Sequence, residues 1–402
     1  MMLSTKQKAE PSFAEFVIII SLMMSLTALS IDAMLPALPQ IGADLHVQSA
    51  NGPQLVVSAL FLGLALGQLF FGPLSDSTGR KPAIYTGLSL FVVGSLISVF
   101  AINFPVMLAG RLVQGAGVSA PRAVGLALVR DRYEGRAMAQ VMSFVMTVFI
   151  LVPMIAPTLG QALLFVTGWR SIFGVFILLA LITLLWFALR MPETLALEDR
   201  ASFSLRRILS ATREIFHIRP AIGYTVTAGL ISGAHLGYLS SAQQIFQEQY
   251  QLGDLFPIVF AIIALAIGFA SFLNARLVMR FGMRLLVRRS LIVIIGLSIA
   301  ALGVAWFTGG QPPLWFLMIY LMLTFFCVGI LFGNQNALAM EPLGRIAGIG
   351  AAVVGALSTF LSVPAGTVIG QSYNGTIVPL VAGIAIMAGL SLLVVRWIEQ
   401  RP

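Results

Sequence analysis

Twelve apolar runs, each long enough to cross a lipid bilayer, leave this chain few ways to fold. A bilayer core about 30 Å thick takes roughly 20 apolar residues per helix. The runs lie approximately at 15–38, 53–73, 82–101, 104–128, 137–163, 169–190, 220–243, 255–277, 286–307, 313–336, 343–371 and 376–397. They are continuous rather than alternating at every second residue, so they read as membrane helices and not as strands of a barrel. Only 10% of the residues are charged and 58% are hydrophobic, against about 25% charged in a soluble domain. The expected fold is therefore an all-α membrane protein with twelve transmembrane helices.

The net charge of +9 is distributed by topology. All but three of the 24 Lys and Arg residues fall in the tails or in every second loop. Lys6 and Lys8 precede helix 1, Arg80 and Lys81 follow helix 2, and Arg130, Arg132 and Arg136 follow helix 4. Arg190, Arg200, Arg206, Arg207, Arg213 and Arg219 follow helix 6; Arg276, Arg280, Arg284, Arg288 and Arg289 follow helix 8; Arg345, Arg396 and Arg401 complete the set. The opposite loops, around 40–52, 246–254, 308–312 and 372–375, carry none. This is the positive-inside pattern, and it places both termini in the cytoplasm of a multi-pass inner-membrane protein. It also accounts for the basic balance without a nucleic-acid partner. The start of the chain mimics a cleavable signal peptide, with Lys6, Lys8, an apolar run and Ala28-Leu29-Ser30. Eleven further runs follow rather than a secreted domain, so we expect the segment to be retained.

The longest polar interval, roughly 191–219, splits the helices six and six. The expected organisation is an N-terminal bundle over 1–190, a cytoplasmic linker over 191–219 and a C-terminal bundle over 220–402. Within the linker, Ile208, Leu209, Thr212, Ile215 and Phe216 share one helical face with Arg residues opposite, which predicts an interfacial amphipathic helix. Leu74, Gly79 and Lys81 match Leu277, Gly282 and Arg284 at a constant offset, as a duplicated six-helix unit requires. Gly63-x-x-x-Gly67 and Gly366-x-x-x-Gly370 would let helices approach closely.

Asp32 is the one acidic residue deep inside a predicted span. Charged groups there are costly and usually face a wet cavity. Seven residues separate it from Pro39, which predicts a depth of roughly 10 Å beneath the outer surface. Arg111 is expected at a similar depth in helix 4, where it can pair with Asp32. The alternative is that Arg111 bonds only helix carbonyls. Burial disfavours a charged carboxyl and a neighbouring cation favours it, so such a site can be switched by substrate or protons.

Residues 72–81 read Gly-Pro-Leu-Ser-Asp-Ser-Thr-Gly-Arg-Lys, a dense polar turn between two apolar runs. Its Gly-x-Leu-x-Asp-x-x-Gly-Arg-Lys pattern resembles the signature loop between helices 2 and 3 of the major facilitator superfamily. Gly72 and Gly79 allow close approach or unusual backbone angles. Asp76 is expected near the N-terminus of helix 11, placed around Pro342, and Arg80 near Asp131. With Lys81 these residues would form a latch between the halves on the cytoplasmic side. The segment Leu108 to Gly117 resembles the helix-4 motif, whose Arg is implicated in proton coupling. Val152-Pro153-Met154-Ile155-Ala156-Pro157-Thr158-Leu159-Gly160 resembles the antiporter motif Gly-Pro-x-x-Gly-Gly of drug-exporting members, with Ala156 for the first Gly and Gln161 for the last. Ser30 to Pro39 and Gly168-Trp169-Arg170-Ser171-Ile172-Phe173 resemble the bicyclomycin-resistance (Bcr/CflA) branch of proton-linked exporters.

The resemblance implies the major facilitator fold in two pseudo-symmetric halves. It also implies proton-coupled export of small amphipathic compounds or drugs by alternating access, by a chain that is not an enzyme. The partners would be the lipid bilayer, protons and a small-molecule substrate, with the protein acting as a monomer. A proton-coupled symporter for nutrient uptake is the runner-up. Polar candidates for a substrate cavity are Gln114, Arg122, Tyr224, His235, Tyr238, Asn334, Gln335 and Asn336, each of which can equally bond a neighbouring helix. Arg170 reads as a structural anchor at the outer end of helix 6. We expect no metal and no cofactor: no His/Cys cluster has ligand spacing, and no Walker-type loop appears. The one Cys, Cys327, forms no intramolecular disulfide.

Overall fold

The computed structural model describes residues 11–400; Lys6, Lys8 and Arg401 lie outside them. Among the described residues the regular structure is entirely helical. The first group comprises α1 (Phe13–Asp32), the short α2 (Leu38–Asp44), α3 (Leu55–Thr78), α4 (Arg80–Val99), α5 (Phe104–Arg132), α6 (Gly135–Val166) and α7 (Arg170–Arg190). After α8 (Leu205–His217), the second group comprises α9 (Arg219–Gln243), α10 (Phe256–Phe281), α11 (Met283–Phe307), α12 (Leu314–Met340), α13 (Ala347–Gln371) and α14 (Val378–Glu399).

Eleven helical stretches are long and apolar enough to cross a membrane. The twelfth expected span, α9, has 25 residues but falls short on hydropathy. Its Gly, Ala, Ser and Thr face protein rather than lipid: 18 of its residues are buried, mainly against α13, α14 and α12. Small residues in α9 are what close helix contact requires when no aqueous hydrophobic force acts.

Three boundaries differ from the sequence expectation. The first span continues to Asp44 instead of stopping near Pro39. Pro36 and Pro39 occupy first-turn positions of new helical segments, where a missing N–H costs nothing. Asp32 therefore lies twelve residues from the end of that span, roughly 18 Å along the helix axis. Helices α5 and α6 run past their apolar stretches, because hydropathy marks the lipid core and not the last hydrogen bond. Pro342 opens a 3₁₀ segment with a kink at Leu343, so α13 starts at Ala347.

Glycines set the tightest contacts. A Cβ on Gly63 or Gly67 of α3 would strike the α5 backbone, and one on Gly366 or Gly370 of α13 would strike Leu236 or Ser240 of α9. The two groups thus use the same device, in α3 against α5 and in α13 against α9. They also share a one-residue break, at Gly79 (φ +107°) between α3 and α4 and at Gly282 (φ +75°) between α10 and α11. Both extended positive-φ conformations are essentially restricted to glycine. Gly79→Ala should destabilise by about 1–3 kcal/mol from backbone strain alone. A Cβ there would also meet the Glu193 carboxylate, whereas nothing lies within 4 Å at Gly282. Thermal unfolding in detergent should show a larger loss for Gly79→Ala than for Gly282→Ala; equal losses would mean that the Glu193 contact is irrelevant.

Helix α8 is amphipathic in a divided way. Ala211 and Ile215 are buried against the bundle, while Leu205, Leu209 and Phe216 are exposed beside Arg206 and Arg213. The second apolar stripe suits the interface between headgroups and acyl chains.

Candidate functional site

Asp32 is the last residue of α1 and is 5% exposed. Among the described residues its carboxyl has no hydrogen-bond or ion-pair partner. The turn Leu35–Ala37 that follows it packs against α9, the helix that carries Tyr238 and His235. The Tyr238 hydroxyl is buried without a partner among the described residues, as is Nδ1 of His235 one turn away. An aromatic wall backs both: Tyr238 stacks on Phe260 of α10 at 5.8 Å and packs on Phe325 of α12 at 4.6 Å. His235 meets Phe325 at 5.5 Å and Phe332 at 5.8 Å. A lone carboxyl opposite a cluster of π faces can hold a cation or a proton.

The residues of α6 shape the other side of this carboxyl. Ala156, Pro157 and Gly160 are buried and Pro153 is partly so. A Cβ on Gly160 would collide with the carbonyl oxygen of Ala33, so this glycine seats α6 against the break that follows Asp32. Pro153 and Pro157 each lack the N–H that a helix interior uses.

Arg111 does not pair with Asp32. It is fully buried, and its guanidinium donates to the Ser30 carbonyl (2.8 Å), the Val56 carbonyl (3.2 Å) and Gln114 Oε1 (2.5 Å). Ser30 lies among the last four residues of α1, whose carbonyls lack helical partners, and a cation there also suits the helix dipole. Gln114 passes the network on to Ser95 of α4 at 2.8 Å. Gln114 therefore bonds α5 to α4.

The polar turn is a capping cluster. Arg80 donates to Asp76 (2.5 Å), Asp131 (2.9 Å) and Ser75 (3.0 Å). The backbone N–H groups of Arg80 and Lys81 donate to the two carboxylate oxygens of Glu193 at 2.8 and 3.0 Å, which satisfies the positive start of α4. Lys81 reciprocates by donating to Met191 and Ala188 carbonyls at the end of α7, and Thr194 donates to Asp131 at 2.7 Å. Every one of these partners belongs to the first helix group or the segment after it, so the cluster is not the expected bridge between halves. Asp76 does share a small recess with Ile349 in the first turn of α13, but its bond goes to Arg80, one turn away along the chain. Gly72 leaves room for Ala352 of α13. Glu193 carries the cap and was visible in sequence only as a residue of the linker.

Hydrogen bonds joining the two helix groups gather at the weakly charged end. Asn51 donates to the Gln371 and Tyr373 carbonyls (2.9 and 2.8 Å), Gln371 donates back to Asn51 (2.6 Å), and Gln244 donates to Asn51 Oδ1 (2.8 Å). Ser58 and Thr367 bond at 2.8 Å. Arg122 in the second half of α5 is exposed, with no ion-pair partner among the described residues. The remaining candidates separate. Asn334 bonds Asn274 across α10 and α12 (2.9 Å), and Asn336 bonds only its own helix. Gln335 is buried with both amide atoms unpartnered, and Tyr224 is buried with a free hydroxyl. Arg170 donates to the Val99 and Ala101 carbonyls and stacks on Trp169, which fixes the outer end of α7.

The Major Facilitator Superfamily model matches residues 20–370. The chain belongs to the major facilitator superfamily. Its similarity to the MFS-type transporter YdgK of Bacillus subtilis (strain 168) is 32% identity over 85% of both chains. It is 25% identical to a bicyclomycin resistance protein homolog of Haemophilus influenzae over 96% of both. Among solved structures it resembles the xylose transporter XylE from E. coli in a partially occluded inward-open conformation, with a TM-score of 0.70, 14% identity, and coverage of 96% of this chain and 99% of that one. The protein is thus a multi-pass membrane transporter of the facilitator fold, and its partners are the bilayer and a small-molecule substrate.

Proposed function

We propose that this facilitator exports small amphipathic compounds, cationic ones foremost, in exchange for protons. The observation that carries this is the buried Asp32 carboxyl, which has no hydrogen-bond or ion-pair partner among the described residues. A carboxyl with no fixed countercharge is neutralised either by a proton or by a cationic substrate. Competition between the two for one group is antiport, with a coupling that acts equally in both directions. The aromatic wall of Phe260, Phe325 and Phe332 offers apolar and π contacts to the rest of the substrate. The likeness to a bicyclomycin resistance protein homolog supports drugs as the substrate class.

In this reading the first six helices and the last six rock about the central site. In the same reading the hydrogen bonds around Asn51 are the outer seal of an inward-facing state. The charge asymmetry of the loops supports a basic end and both termini in the cytoplasm, with the inner membrane as the one spanned. Arg111 is a positioning residue: it holds the end of α1, and so Asp32, through Ser30. Proteoliposomes carrying a pH-sensitive dye test the reading. Adding a cationic amphipathic drug to one side should drive protons in the opposite direction. Protons moving with the substrate would make the protein a symporter, and no proton movement would remove the coupling.

A further inference from the structure

We propose that the groove between α11 and α12 is a binding site for an anionic phospholipid, with one acyl chain in the groove and the phosphate at Arg289. The groove is a cavity of about 350 Å³ lined by Leu286, Arg289, Ser290, Val293, Leu323 and Cys327, and further by Leu297, Phe326 and Ile330. Its volume falls within the roughly 300–1,000 Å³ of small-molecule sites. Its sides are apolar, and its one cation stands toward the basic end of the bundle. From Leu286 to Leu297 it runs roughly 16 Å along α11. That length matches one leaflet of a hydrocarbon core about 30 Å thick.

The charge at the mouth selects the occupant. Arg284 faces Glu341 (3.7 Å) and Arg288 faces Glu399 (4.0 Å). Arg289 is exposed, and no carboxylate pairs with it among the described residues. A basic pocket between membrane helices at the cytoplasmic side is a recognised form of anionic headgroup site. The same cation repels the cationic compounds proposed for the central site, so the groove is not a second entrance for them.

Native mass spectrometry of the full-length protein tests this, using phosphatidylglycerol and phosphatidylcholine with identical chains. Phosphatidylglycerol should be retained roughly fivefold better, the effect of about one basic residue at an anionic surface. Arg289→Ala should remove that preference, and Arg288→Ala should keep it. Val293→Trp, which fills the groove from an exposed position, should displace both lipids. Phosphatidylglycerol should also slow maleimide labelling of Cys327, the chain's single thiol, and do so only while Arg289 is present. Equal retention of the two lipids, an unchanged preference in Arg289→Ala, or lipid still bound in Val293→Trp would each overturn the proposal.

Discussion

Asp32→Asn is expected to reduce gradient-driven export by more than about tenfold, or ~1.4 kcal/mol on the rate-limiting barrier, while leaving the amount of folded protein unchanged. Asn is nearly isosteric and cannot bind or release a proton in this range. The carboxyl makes no hydrogen bond or ion pair among the described residues, so its replacement orphans no partner. What is lost is the exchange of proton for substrate at one group. Counterflow of labelled substrate at equal pH on both sides needs no net proton transfer and should survive for neutral amphipathic compounds. Cationic ones should bind less well, because the carboxylate opposite the aromatic wall is gone. The measurement is paired: drug accumulation driven by an imposed pH step, and counterflow without one, both at matched expression. Wild-type export by Asp32→Asn under a pH step would move the proton site elsewhere. Loss of counterflow for neutral compounds as well would mean that Asp32 shapes the cavity and does not couple.

Arg111→Ala should instead cost the fold. The change leaves buried acceptors at Ser30, Val56 and Gln114 without their donor. Unsatisfied buried groups of this kind cost about 1–3 kcal/mol each. The expected result is a marked fall in melting temperature in detergent and poor recovery of monodisperse protein. Arg111→Lys should recover only part of the loss, since a single ammonium cannot reach three acceptors on three helices as a planar guanidinium fork does. Arg111→Ala with wild-type thermal stability and a pure transport defect would restore Arg111 to a direct part in proton transfer and remove the holding role assigned to it. Substitutions at Asp32 and Arg111 thus separate function from assembly within one layer of the bundle.

Much of the molecule was legible before any coordinate. Hydrophobic run length is a local property, and so are the charges that follow each run. Together they gave the helices. The break at Gly79 was legible because its backbone conformation admits no other residue. Asp32 stood out because a carboxyl deep in an apolar run has no inexpensive explanation. The phenylalanines of the aromatic wall were not legible. In a chain with 28 Phe, nothing local distinguishes Phe260, Phe325 and Phe332 from those that face lipid.

The sequence alone determined that this chain is a helical membrane protein with one exceptional acid, because lipid imposes strict length and charge rules on each segment separately; its transporter reading came from the resemblance of its motifs. Tertiary structure decided who meets whom. Matching depth suggested that Arg111 would face Asp32, but depth does not fix direction around a helix axis. Packing turned Arg111 toward the Ser30 carbonyl at the end of α1 and left the buried Asp32 carboxyl without a partner among the described residues. The same limit applies to Glu193, which sits over the start of α4 only because α7 returns beside it. Partners of polar groups in a membrane bundle are set by rotation and close approach among distant helices, and no local pattern encodes those.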